Sequence, residues 1–228
     1  PPTVTVTSVT EPDDSPTLFR GVKGTIQVPL FLTDTTPEGV LRRGDDGLPI
    51  AQGTAEADFL LLIPRSVAES DAPARVLQFG HGFFGDRREI NGFVQDFAHE
   101  TQMVVIAVDW WGMSEPDRFP VAQRLADDPP AAGQFIDRVH QAMMNQIAVP
   151  YALRAGLAEA PETHIADRLV YDPQQVYFYG ISQGHILGGT YLALAPDVDR
   201  GVLGVGGAGL SGMMFRALPF SAFLYVLG

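Results

Sequence analysis

Val176-Tyr177-Phe178-Tyr179-Gly180-Ile181-Ser182-Gln183-Gly184-His185-Ile186-Leu187-Gly188-Gly189 is the stretch whose reading decides the fold. An apolar run of β-forming residues, Val176 to Tyr179, enters the Gly-x-Ser-x-Gly string of 180–184. It leaves in a second apolar segment, Ile186 to Ala195, long enough for about three helical turns. The spacing predicts a strand, a sharp turn and a helix. The two glycines allow a turn so tight that the central residue sits strained at its apex, with its side chain exposed and the next amide free. Ser182 is therefore a candidate nucleophile.

Working outward, residues from 75 onward alternate strand and helix, the pattern of a mainly parallel sheet with helices on its faces. Arg75 to Phe79 is a short strand that runs into Gly80-His81-Gly82-Phe83-Phe84-Gly85, and Asp86 can cap a helix over Arg88 to Thr101. Met103 to Val108 is a continuous apolar run, expected of a strand covered on both faces, with Asp109-Trp110-Trp111-Gly112-Met113-Ser114 as its exit loop. Residues 115–131 read as irregular. Phe135, Val139, Met143 and Ile147 then mark a long helix, kinked or ended near Pro150. Asp172-Pro173 turns the chain into the strand before Ser182, and Gly201 to Val205 is the strand after the elbow helix. Upstream, Thr3 to Thr10 reads as an edge strand, and Gly24 to Thr33 and Ala57 to Ile63 as further strands around a Gly/Asp/Pro-rich loop, Asp34 to Gly53. The expectation is one domain over 1–228, an antiparallel meander in 1–70 leading into a nucleophile-bearing α/β part in 71–228.

Composition narrows the function. A chain of 228 residues with 46% hydrophobic and 18% charged residues can bury a full core. A formal charge of −12 and a pI near 4.6 leave no electrostatic footprint for nucleic acid or an anionic membrane. The absence of cysteine removes disulfides and a thiolate nucleophile, and no zinc spacing occurs. Asp197-Val198-Asp199 lacks the remaining ligands of a calcium loop. Gly204-Val205-Gly206-Gly207-Ala208-Gly209 lacks the later acidic residue of a dinucleotide site, no Asp or Glu occurring after Asp199. Neither metal nor cofactor is expected. The apolar tail Ser211 to Gly228 is a candidate lid helix; its short length, Arg216 and Pro219 argue against a transmembrane span. The chain begins at Pro1, so its natural start is expected upstream, and the Pro/Thr/Ser-rich opening points weakly to export.

Three motifs, His81-Gly82-Phe83-Phe84-Gly85, Asp109-Trp110-Trp111-Gly112 and the Ser182 elbow, each follow a strand. In that order they resemble the α/β-hydrolase superfamily, its esterase and lipase branch, over roughly residues 57–210. The resemblance implies carboxylic-ester hydrolysis through an acyl-enzyme on Ser182, with oxyanion-hole amides from Phe83 and Gln183. By their place in the motifs, Phe84, Trp110, Trp111 and Met113, with Phe83, are candidates to line an apolar acyl or aryl pocket, ordinary core packing of these side chains being the alternative. The resemblance also implies a structural role for His81. His185 falls on the elbow helix and His99, His140 and His164 on or beside helices, so packing is the expectation for all four. The family's triad runs Ser, acid, His, and after Ser182 only Asp197, Asp199 and His185 are offered, none in the expected place. The resemblance therefore implies that the C-terminal part of the fold, with acid and base, lies in a further segment or second chain. A non-catalytic binding protein of the same fold and a peptidase with the same triad are the alternatives.

Overall fold

Period-two alternation in four strands builds the centre of the molecule. In the computed structural model, which describes residues 1–128, 133–207 and, beyond these, 209, 212, 213, 215–218, 221 and 225, the chain opens with β1 (Val4–Thr10), β2 (Leu18–Leu30) and β3 (Gly53–Pro64). A single turn α1 (Arg65–Ala68) leads to β4 (Ala74–Gly80), a 3-10 turn (Arg87–Asn91), α2 (Phe93–Thr101) and β5 (Met103–Val108). A second 3-10 turn (Glu115–Asp117), α3 (Arg118–Asp127), α4 (Gly133–Arg154) and α5 (Gly156–Glu159) precede a small hairpin of β6 (His164–Ile165) and β7 (Arg168–Leu169). Then come β8 (Tyr171–Ile181), α6 (Gln183–Leu194) and β9 (Gly201–Gly204).

Seven strands form one sheet in the order β1-β2-β3-β5-β4-β8-β9. The first three are antiparallel, β3 meets β5 antiparallel, and β5, β4, β8 and β9 run parallel. The expected meander and the expected parallel half are therefore both present in a single sheet. Phe59, Leu61 and Ile63 with Val104, Ile106, Val108, Val76 and Phe178 line one face, which α4 and α6 cover. Leu60, Leu62, Leu77, Phe79, Val105 and Ala107 line the other, beneath α2. Burial on both faces explains why β5 reads as an unbroken apolar run.

The sequence expectations differ from the fold at a few points. The single helix expected over 88–101 is a 3-10 turn and a separate α2, broken at Gly92 with φ −92° and ψ −136°. Residues 118–127, expected to be irregular, form α3, because Ser114 and Asp117 make a capping box in which Pro116 occupies the first turn. α4 runs through Pro150 to Arg154. Pro150 deprives the Gln146 carbonyl of its helical donor, and the Gln78 side chain supplies one instead, Nε2 donating at 3.0 Å. Asp172-Pro173 is an irregularity inside β8, not a turn before it, since Ala74 pairs with Tyr171 and Val76 with Val176. The lid expected over 211–228 lies largely outside the described residues. Among the described residues no helix is long and apolar enough to cross a membrane.

Candidate active site

Ser182 joins β8 to α6 with φ 54° and ψ −111°. Such angles cost a non-glycine residue about 1–3 kcal/mol and persist only where the surroundings enforce them. Here the enforcement is backbone on both sides. The Ser182 amide donates to the Gly204 carbonyl at 3.0 Å, and its own carbonyl accepts from the amides of His185 (3.1 Å) and Ile186 (3.2 Å). Gly180 and Gly184 have to be glycine because the chain crosses itself. A β-carbon on Gly180 would overlap the Gly184 carbonyl, and one on Gly184 would overlap the carbonyl of Gly80 at the end of β4.

The loop after β4 comes up against this elbow. A β-carbon built on Gly82 would lie 4.0 Å from Ser182 Cβ, so Gly82 faces the serine side chain. His81 is fully buried, and its Nε2 accepts the Trp110 amide at 2.8 Å. Nδ1 therefore carries the proton and donates to the Gly82 carbonyl at 2.9 Å. Burial pushes the imidazole below its ordinary pKa, which keeps it neutral in this bracket between two loops. The amides of Gly82, Phe84 and Gly85 are all engaged, with Glu89 Oε2, the Met113 carbonyl and the Gly82 carbonyl.

A second loop, after β5, is stitched to the first. Besides the Phe84–Met113 bond, the Glu115 amide donates to the Gly85 carbonyl at 2.9 Å and the Arg87 amide to Asp109 Oδ1 at 2.7 Å. The Arg87 guanidinium also pairs with Asp109, which is held partly against its tendency, since burial raises the Asp109 pKa while Arg87 lowers it. At the far side Asp117 Oδ2 accepts the Gly112 amide at 2.9 Å and the Ser114 hydroxyl at 2.5 Å, while Oδ1 takes both Nε (2.9 Å) and Nη2 (2.8 Å) of Arg138. Both partners are buried, and the Arg138 guanidinium lies over the Trp111 ring, 5.2 Å from its centroid.

The residues expected around the acyl group divide. Phe83 and Phe84 stack edge-on at 4.5 Å between centroids, and Trp111 and Met113 are half-buried. Trp110 is different: it has no exposed surface and belongs to the core beneath α4 and α6. The reason is register, because Val104, Ile106, Val108 and Trp110 continue one face of β5 by alternation. Gln183 begins α6, where helix amides lack partners within the helix, and its side chain is buried with neither amide atom paired among the described residues. Among the described residues nothing hydrogen-bonds the Ser182 hydroxyl. His185 Nδ1 accepts the Gly206 amide at 3.0 Å, Asp197 pairs with Arg154, His99 accepts the Ser66 amide and His164 contacts the Ala160 carbonyl. Among the described residues no group of three or more His, Cys, Asp or Glu side chains is placed to hold a metal ion.

Glu89, Asp117 and Arg138 organise these loops and were not foreseen. Asp86-Arg87-Arg88-Glu89 and Ser114-Glu115-Pro116-Asp117 both carry the spacing of a capping box, the one local signal available.

No protein-family model matches the chain, and comparison with curated proteins finds no match. Among solved structures, the acetyl xylan esterase from Paenibacillus sp. R4 aligns over 99% of this chain and 61% of its own, at 15% identity and a TM-score of 0.55. An assigned acetyl xylan esterase from Bacteroides fragilis NCTC 9343 aligns over 88% of this chain and 47% of its own, at 13% identity and a TM-score of 0.53. The chain has the α/β-hydrolase fold. It spans 47% and 61% of the length of those two proteins. The β8–α6 junction is a strand–turn–helix elbow, and the loop after β4 faces it across the carboxyl edge of the parallel strands.

Proposed function

We propose that this chain is the nucleophile-bearing part of a serine hydrolase that cleaves carboxylic esters with an apolar acyl or aryl portion. The observation that carries the reading is Ser182 at φ 54°, held at the end of a parallel strand opposite the Gly82 face of a second loop. The Ser182 oxygen attacks the ester carbonyl, its proton passes to a base, and the carbonyl π electrons move to oxygen. The backbone amides of Gln183 and Phe83 are the proposed donors to that oxyanion; each fixed donor contributes about 3 kcal/mol at the transition state. Collapse expels the alcohol, which takes the proton from the base, and water then releases the acid from the acyl-serine. Trp111, Met113 and Phe84 are the proposed apolar wall, with Trp110 supporting it from the core. The net charge of −12 disfavours anionic substrates.

The same reading assigns the acid and histidine to a segment outside 1–228, within one hydrolase domain completed beside β9. An open groove of about 550 Å³, lined by Leu77, Phe93, Phe97, Tyr177, Tyr179 and Val202, supports it as the apolar surface such a segment would cover. The test is a panel of chromogenic esters on the full-length protein beside Ser182→Ala. Neutral esters with apolar acyl groups should turn over fastest and Ser182→Ala should abolish turnover. Undiminished hydrolysis by Ser182→Ala would refute the assignment.

A further inference from the structure

Every polar group of the Gly82 backbone is held, and one of the holders is a carboxylate beside the nucleophile. Glu89 Oε2 accepts the Gly82 amide at 3.0 Å. A β-carbon on Gly82 would lie 3.6 Å from Glu89 Oε1 and 4.0 Å from Ser182 Cβ, so carboxylate and serine flank the same face of that residue. Gly85 is shaped to the same group, since a β-carbon there would overlap Glu89 Oε1 outright. The Gly82 carbonyl, in turn, accepts from His81 Nδ1 at 2.9 Å and from the Gly85 amide at 3.1 Å.

Glu89 itself is fixed by its turn. Asp86 Oδ1 caps the turn by accepting the Arg88 amide at 2.7 Å, and the Glu89 amide donates to the Asp86 carbonyl at 3.0 Å. A glutamate three residues after an N-cap ordinarily bends back to the N-cap amide. Glu89 reaches across to Gly82 instead.

We infer that Glu89 is a positioning residue for the oxyanion-forming loop: by holding the Gly82 amide it fixes the direction of the Phe83 N–H opposite Ser182. The inference rests on the serine-hydrolase reading above. The Gly82 carbonyl and the Phe83 N–H belong to one planar peptide, so a residue pinned at both its amide and its carbonyl cannot turn that plane. A carboxylate beside a developing oxyanion opposes it electrostatically, so the benefit of Glu89 lies in the hydrogen bond it accepts and not in its charge.

That distinction makes the test. Glu89→Ala, in the full-length protein, should lower kcat by about tenfold to a hundredfold with KM little changed, the cost of a misplaced reacting group. Glu89→Gln, which keeps an acceptor oxygen and loses the charge, should restore most of that turnover. Gly85→Ala, which displaces the carboxylate, should resemble Glu89→Ala and add little in the Glu89→Ala background. A wild-type kcat in Glu89→Ala, a Glu89→Gln no better than Glu89→Ala, or fully additive Gly85 and Glu89 effects would each overturn the inference. If Glu89→Ala fails to fold, Gly85→Ala and Glu89→Gln carry the test, a low kcat in the first and a preserved kcat in the second being required. Ser182→Ala separates the two levels: if it abolishes turnover while Glu89→Ala does not change it, only the role of Glu89 fails, whereas activity surviving in Ser182→Ala removes the reading beneath it.

Discussion

Two glycines of one helix should respond to the same substitution with opposite signs. Gly184 lies in the first turn of α6, where it passes the end of β4. A β-carbon there would overlap the Gly80 carbonyl oxygen, stand 2.5 Å from the Gly80 carbonyl carbon and lie 2.9 Å from the His81 oxygen. Carbon atoms need a separation of about 3.5 Å, so sheet and helix would have to part by about 1 Å, and backbone atoms cannot rotate aside. Overpacking of that kind costs about 1–3 kcal/mol and more where nothing yields, against a helix-propensity gain of at most about 1 kcal/mol. At Gly189 the one neighbour within reach is Leu203 Cδ1 at 3.9 Å, an ordinary contact. Gly189→Ala therefore collects the propensity gain without the clash. The propensity gain is common to both variants, so they should differ by the clash alone. Each kcal/mol moves the unfolding midpoint by about 2–4 °C in a chain of this size, so Gly184→Ala should melt about 2–12 °C below Gly189→Ala. The assay is thermal unfolding followed by far-ultraviolet circular dichroism on wild type and both variants. In the full-length protein Gly184→Ala should also lose about a hundredfold in ester turnover, because the elbow shifts relative to the facing loop. Equal midpoints for the two variants would refute the reasoning that the elbow is glycine-limited by backbone crossing.

Asp117→Ala strands the buried Arg138 charge and should cost about 3–5 kcal/mol by urea denaturation, whereas Asp117→Leu combined with Arg138→Met should recover much of it. A small effect of Asp117→Ala would show the pair to be solvated. Burial holds the His81 pKa below 6.5, so the unfolded chain takes up its proton first as pH falls; stability is full above about pH 6.5 and declines below it by at most about 1.4 kcal/mol per pH unit. His81→Gln should flatten that limb of the stability profile between pH 7 and pH 5, and parallel profiles would count against the bracket. Gln183→Met should leave ester turnover within about threefold, because the proposed donor is the backbone amide and the side-chain amide is unpaired among the described residues. A loss of a hundredfold would move the role to the side chain.

Some of this was legible without coordinates because it is local. The Gly180-Ile181-Ser182-Gln183-Gly184 string states its own backbone geometry, and Ser182 has the positive φ that flanking glycines imply. The apolar run of β5 states burial on both faces. The proline and aspartate content of residues 115–131 predicts irregular chain where α3 forms. Yet Pro116 in the first turn and Ser114 and Asp117 in a capping box start a helix instead of breaking one. Sequence leaves open whether the helix kinks or ends near Pro150, because the group that compensates the proline, Gln78, is far away in sequence and on another element.

The sequence by itself determined the main alternation of strand and helix from residue 75 onward, the two-sided burial of β5, and the elbow, since periodicity and glycine placement act over a few residues. The tertiary structure alone decided which side chains meet. Trp110 went to the core and Trp111 beneath Arg138; Glu89 turned from its own helix cap to the Gly82 amide, and Asp117 gathered a loop around Arg138. Those outcomes depend on how closely β4, β5 and β8 bring their exit loops together, a distance set by packing across the sheet and encoded in no single stretch of chain.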